Sequence, residues 1–176
     1  MNKHIRNMVY AALALALCLV LPFLTGQIPE IGSALSPMHI PVLLCGFICG
    51  PVYGAIVGFI APLLRFALFG MPPFPMNVPM AFELLTYGLV SGIMYRMLPK
   101  KPLFTYASLI IAMLAGRVIW GIGRYILAGV QGGTFTMQAF MAGAFIEAVP
   151  GIICHIVIIP VIVIALQKAG LLRKKV

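Results

Sequence analysis

The sequence predicts an all-α integral membrane protein, and three observations predict it. Of the 176 residues, 62% are hydrophobic and only 9% charged, against roughly a quarter charged in ordinary soluble domains. The mean hydropathy is +1.12. The apolar residues also come in long, nearly unbroken runs, not in the roughly ten-residue alternating segments of a transmembrane β-barrel. In hydrocarbon such runs must close their backbone hydrogen bonds internally, as helices. A water-soluble globule and an outer-membrane barrel are both excluded. At about 20 apolar residues per crossing, residues 1–176 form one membrane domain with no soluble domain beside it.

Runs and breakers place six spans at about 8–24, 38–50, 51–69, 77–97, 104–128 and 137–167. The first follows Lys3-His4-Ile5-Arg6 and resembles a secretory signal, but Thr25-Gly26-Gln27 after it is no small-x-small cleavage site, so it reads as a retained helix. The second covers only about 20 Å by helix rise, and is expected to extend through a loop or to insert obliquely. Gly50-Pro51 ends it and restarts the third, since Gly tolerates the helix C′ conformation and Pro is preorganised for a first turn. The third gives way to Gly70-Met71-Pro72-Pro73-Phe74-Pro75-Met76, which reads equally as a lid or as a rigid connector. The fourth follows it. The fifth is set off by the basic loop 98–103, and the sixth by the loop 129–136.

The net charge of +9 comes from 12 Lys+Arg against 3 Asp+Glu. In a soluble protein that balance suggests nucleic acid. Here nine of the basic residues (Lys3, Arg6, Arg96, Lys100, Lys101, Lys168, Arg173, Lys174 and Lys175) sit at the ends of apolar runs, where cytoplasmic loops concentrate positive charge. They report topology, with no nucleic-acid partner. The three loops on the opposite side, about 25–37, 70–76 and 129–136, hold no Lys or Arg, and the first holds Glu30. Both termini are therefore expected inside a plasma membrane.

Five ionisable residues remain within spans: Arg65, Glu83, Arg117, Arg124 and Glu147. Each costs about 2.5 kcal/mol or more on insertion scales for Arg, so something must compensate it. One reading is two Arg–Glu pairs tying helices together; the other is a polar cavity for a substrate. Helix rise places Arg65, Arg124, Glu83 and Glu147 roughly 6 to 15 Å below the outer surface and Arg117 about 16 Å down. All five thus share the outer half, which a pocket filled from outside explains and scattered pairs do not. Arg117 and Arg124, seven apart, fall on one helix face with Trp120 near it. Glu83 and Tyr87 form an i,i+4 pair, and Gly143, Glu147 and Gly151 stack on the sixth span. Three Arg less two Glu leaves +1, which suits a ligand with one carboxylate.

His39, at the outer mouth in Ser36-Pro37-Met38-His39-Ile40-Pro41, is a candidate for substrate contact, whereas His155 lies deep and reads as structural. Asn77 either caps the fourth helix or binds ligand. The chain has no Asp, no H-E-x-x-H and no G-x-S-x-G, so catalysis finds little support. Cys18, Cys45, Cys49 and Cys154 lie within spans as small apolar packers, without the further ligands of a zinc site, and no metal or cofactor is expected. Small residues repeat at Gly46, Gly50, Gly54 and Gly58, which reads as internal packing. Ala12 and Ala16 repeat at the same spacing on the first helix, which reads either as internal packing or as contact with a partner.

The sum of these features resembles the substrate-binding S components of energy-coupling factor (ECF) vitamin transporters of bacteria. Size, six spans, inside termini and loops too short for an ATPase domain match. So does Ala12-Leu13-Ala14-Leu15-Ala16, which is similar to the family's A-x-x-x-A motif. More specific is Leu35-Ser36-Pro37-Met38-His39-Ile40-Pro41-Val42, followed by Cys45-Gly46-Phe47-Ile48-Cys49-Gly50-Pro51-Val52-Tyr53-Gly54. It looks like the family's second-to-third helix segment, and Ala61-Pro62-Leu63-Leu64-Arg65 extends the likeness over most of the chain.

The resemblance implies capture without catalysis. A water-soluble vitamin is bound in an outward pocket, and the subunit topples against a transmembrane coupling subunit driven by two cytoplasmic ATPase subunits. Family pockets use the outer loops and the outer parts of helices four to six, where Glu83, Arg117, Trp120, Arg124 and Glu147 stand. With His39, Arg65, Asn77 and Tyr87 these make the candidate substrate-binding set. The family docks through its alanine face, a role carried here to Ala12 and Ala16. Surplus positive charge favours pantothenate, with pyridoxine or a hydroxymethyl-pyrimidine next. The competing reading is a membrane scaffold or chaperone whose Arg–Glu pairs only hold helices together. A stand-alone secondary transporter is disfavoured, since neither paired broken helices nor a convincing repeat is evident.

Overall fold

A computed structural model describes residues 2–25, 35–170 and 172, and within them every regular element is helical. Gly26, Gln27 and Glu30 lie outside the described residues, as do Arg173, Lys174 and Lys175. The helices are α1 (Lys3–Val20), α2 (His39–Cys49), α3 (Pro51–Phe69), α4 (Asn77–Met97), α5 (Pro102–Val130), α6 (Met137–Met141) and α7 (Val149–Lys168). A 3₁₀ turn, Leu21–Thr25, prolongs α1, and a π-helical segment, Ala142–Ile146, joins α6 toward α7.

Local chemistry sets the ends. Asn2 caps α1, its side chain accepting from the His4 N–H at 3.3 Å. Gly50, at φ 98°, stops α2 in a backbone region that a Cβ disfavours, and Pro51 opens α3 where the missing N–H costs nothing. Gly70 closes α3 in the left-handed conformation, its N–H donating to Phe66 O at 2.8 Å. Thr136 caps α6 by accepting from Ala139 N–H at 3.2 Å.

Five helical stretches are long and apolar enough to cross a membrane: Lys3–Leu24, Pro51–Phe69, Asn77–Met97, Pro102–Val130 and Met137–Lys168. The second apolar run forms the 11-residue α2, which reaches only about 16 Å by helix rise.

The distribution of side chains is inverted relative to a soluble protein. Buried polar groups include Asn7, His39, Arg65, Asn77, Glu83, Ser91, Ser108, Arg117, His155 and Gln167. Exposed apolar side chains run in outward stripes at helical spacing: Ile5, Val9, Leu13 and Leu17 on α1; Leu114, Val118, Ile122 and Ile126 on α5; Val149, Ile153, Val157 and Val161 on α7. Apolar surface of that extent is stable against lipid and not against water.

Helix α4 lies at the centre, packed on α2, α3 and α5, while α1 leans on α2 and α3, and α7 on α2 and α5. Glycines let α4 approach. A Cβ on Gly54 or on Gly46 would stand 2.6 Å from Gly88 O, and one on Gly58 would meet the Leu84 carbonyl. The glycine repeat is therefore the seam along which α2 and α3 meet α4. At the end rich in Lys and Arg, Asn7 Nδ2 donates to Cys49 O at 3.2 Å and Gln167 Nε2 to Tyr95 OH at 2.7 Å. The Lys100 ammonium sits 3.7 Å from the Tyr95 ring centre. These contacts tie α1 to α2 and α7 to α4, and leave the opposite end of the bundle to open.

Gly88→Ala would force the α3–α4 backbones apart at Gly54 and should cost about 1–3 kcal/mol, read as a lower midpoint of thermal unfolding in detergent. Gly129→Ala, with nothing within 4 Å of the added methyl, should leave the midpoint unchanged or raised.

Candidate functional site

At the end of the bundle away from the basic residues lies a partly open cavity of about 470 Å3. Four stretches of chain build it. Ser36 comes from the segment before α2 and His39 from its first residue, Met80 and Glu83 from the first turns of α4, and Arg117, Trp120 and Arg124 from the second half of α5. The loop residues Thr134 and Phe135, with Ala139, Ala142, Gly143, Glu147 and Ala148 of the broken sixth segment, close the side.

Arg117, Trp120 and Arg124 share a face because their spacings of three and four match the helical repeat. The sixth segment reaches the cavity differently. Its turn is widened, Glu147 N–H donating to Ala142 O at 2.9 Å, five residues back. A π turn of this kind re-aims the residues after it and recurs at functional sites. Here the cavity lining includes both Gly143, within the turn, and Glu147, directly after it. Gly143 is needed where it stands, since a Cβ there would come within 2.8 Å of the Trp120 ring.

The floor is a charge network centred on Glu83, which is only 2% exposed. Its Oε1 accepts from Tyr87 OH at 2.9 Å, pairs with Arg117 Nη1 at 3.2 Å and lies 3.6 Å from His39 Nε2. Tyr87 is the i+4 neighbour on α4, Arg117 comes from α5 and His39 from α2, so one carboxylate joins three helices. His39 stacks on His155 (5.7 Å between centres, 17° between planes) and meets the Tyr87 ring edge-on at 5.2 Å. His155 Nε2 lies 3.3 Å from Ser36 O. A carbonyl only accepts, so this contact puts the His155 proton on Nε2. The same carbonyl takes the His39 N–H at 3.0 Å. Ser36 itself has φ +46°, a sparsely populated backbone state for a non-glycine residue.

The wall is arranged more loosely. The Arg124 guanidinium stands 5.8 Å from the Trp120 ring centre and 5.5 Å from that of Phe135, and its Nη1 touches Met76 Sδ. Trp120 and Phe135 meet edge to face at 6.2 Å. Glu147 is exposed, and among the described residues neither Arg124 nor Glu147 forms an ion pair. Several buried polar atoms have no hydrogen-bond partner among the described residues: His39 Nδ1, Arg117 Nε, Arg124 Nε, Asn77 Oδ1 and His155 Nδ1. Such atoms are rare and call for an explanation. The first three belong to residues that line the cavity, where a polar ligand is a physical answer.

Of the residues singled out from sequence, His39, Glu83, Arg117, Trp120, Arg124 and Glu147 line the cavity. Tyr87 stands behind it and orients Glu83. Asn77 is buried at the start of α4 and is not part of the lining. Arg65 is elsewhere. Its guanidinium, 2% exposed, donates to Leu19 O and lies 5.0 Å and 5.3 Å from the rings of Phe23 and Phe69, where α1 meets α3. The charge sum over the cavity is consequently two Arg against two Glu, not the +1 that counts Arg65. Sequence reasoning did not single out Ser36, Met80, Thr134 or Phe135. For Phe135 a signal existed, an aromatic residue in a short polar loop. For the Ser36 carbonyl there was none. Ala12 and Ala16 are exposed on the outer face of α1.

A family model described as ECF transporter, substrate-specific component, matches residues 6–166. Neither a curated protein nor a solved structure matches the chain.

Glu83→Gln would leave the Arg117 guanidinium buried without its counter-charge, which should cost about 3–5 kcal/mol. Combining it with Arg117→Gln removes both charges, and the double variant should melt in detergent above the Glu83→Gln single variant.

Proposed function

Because the chain belongs to the family of ECF transporter substrate-specific components, we propose that it captures a water-soluble vitamin from outside a bacterial cell and delivers it for ATP-driven uptake. It is a transporter subunit and does no chemistry of its own. The observation that carries this reading is the cavity: a polar floor held by Glu83, unpartnered donors on Arg117 and Arg124, and an opening at the end away from the basic residues. With the basic ends inside, that opening faces the exterior. The chain then has six membrane segments, α2 being an oblique short one, and both termini are cytoplasmic.

ATP hydrolysis belongs to two cytoplasmic subunits, reached through a transmembrane coupling subunit. The surface suited to that subunit is the outer face of α1. There Ala12 and Ala16 are exposed between Met8, Val9, Leu13 and Leu17, and small residues let another helix come close. The scaffold reading needs two Arg–Glu pairs, whereas Glu83–Arg117 is the one such pair among the described residues. Unpaired Arg124 and Glu147 have no use in a scaffold. With Arg65 outside the cavity, the charge argument for pantothenate weakens, and it stands level with pyridoxine and a hydroxymethyl-pyrimidine.

Isothermal titration of the purified chain against a panel of water-soluble vitamins that includes these three tests the reading. One should bind well below about 10 µM; if none does, capture is wrong. For docking, Ala12→Leu or Ala16→Leu should leave vitamin affinity intact and abolish co-purification with a co-expressed ECF module. An undiminished complex would remove the α1 face from consideration.

A further inference from the structure

Arg124 and Glu147 bring opposite charges to the lining of one cavity of about 470 Å3, and among the described residues neither has an ion-pair partner. The other two formal charges there, Glu83 and Arg117, neutralise each other at 3.2 Å. Two aromatic faces and a thioether stand about the Arg124 guanidinium, and among the described residues its Nε has no hydrogen-bond partner. These are weak partners for a guanidinium, whose planar fork matches an oxyanion. Glu147 is carried to the lining by the π turn at Ala142–Ile146. The two groups are thus more than an ion-pair distance apart while sharing the same space.

The charge of the occupant follows. A monoanion answers Arg124 and brings a like charge toward Glu147; a monocation does the reverse; an uncharged molecule answers neither. We propose that the cavity takes a zwitterion, a small organic molecule whose oxyanion seats on Arg124 beside Trp120 and Phe135 and whose protonated nitrogen seats on Glu147. The volume falls in the range of sites for single small ligands, and Met80, Ala139 and Ala142 line it beside the charges, suited to the apolar body. This inference rests on the cavity being the capture site.

Two matched probe sets test it by isothermal titration on the purified full chain. One is L-phenylalanine with phenethylamine and hydrocinnamate; the other is para-aminomethylbenzoate with benzylamine and para-methylbenzoate. Each set keeps the ring and removes one charge at a time. In at least one set the zwitterion should bind about tenfold or more tightly than both relatives. Arg124→Gln should erase its advantage over the cation, and Glu147→Gln its advantage over the anion. The wild-type comparison decides even if a variant fails to fold. Equal or tighter binding of an anion overturns the proposal, as does a Glu147→Gln variant that keeps the full preference. Tight binding of pantothenate or another vitamin, with no preference for a zwitterion in either set, overturns it and leaves vitamin capture standing. Binding of no vitamin and no probe overturns both.

Discussion

A carboxylate that is 2% exposed inside a bundle surrounded by lipid cannot stay charged alone, and the compensation of Glu83 organises the open end of this protein. Arg117 reaches it from α5, His39 from α2 and Tyr87 from its own helix. Each partner is positioned in turn: His39 by stacking on His155, and His155 by the Ser36 carbonyl. The floor of the cavity is therefore fixed by electrostatic necessity from four helices, α2, α4, α5 and α7, and the segment before α2. No apolar packing at that depth would leave polar atoms facing a void.

Rigidity elsewhere makes this possible. The glycines of α2, α3 and α4 bring backbones into contact along a seam that includes Gly46, Gly54 and Gly88, and small-residue contact is how helices associate when no hydrophobic force separates them from lipid. That seam holds Glu83 and His39 in a fixed relation, since both belong to helices it joins. The sixth segment has no such seam at the cavity; its turn is π-helical and its inner face is lined by Ala139, Ala142 and Gly143. One side of the cavity is thus set by backbone contact and the other by small side chains.

Helical class, the Gly50-Pro51 break and the shared face of Arg117, Trp120 and Arg124 were legible in the sequence, because each depends on local periodicity or on a residue with special backbone freedom. The Glu83–Tyr87 contact was legible for the same reason. Arg65 was not. Its depth along the helix follows from counting, but which neighbour its face meets depends on packing, and packing gives it the Leu19 carbonyl and two phenylalanine rings. The π turn before Glu147 was hidden as well, since a 3.6-residue repeat carries no sign of one inserted residue. His155 read as structural from depth alone. Its bond to a backbone carbonyl 119 residues away in sequence left no trace in side-chain pattern.

Two charge balances coexist in this chain and answer different questions. The overall +9 is carried chiefly by helix ends, where it sets orientation. The cavity balances two arginines against two glutamates, and there the placement of charges matters more than their sum. One pair is closed at 3.2 Å; Arg124 and Glu147 do not pair with each other. In a site shielded by low-dielectric walls, an unpaired charge acts over a longer range than it would in water. The separation between Arg124 and Glu147 is set by the α5 face on one side and the π turn on the other.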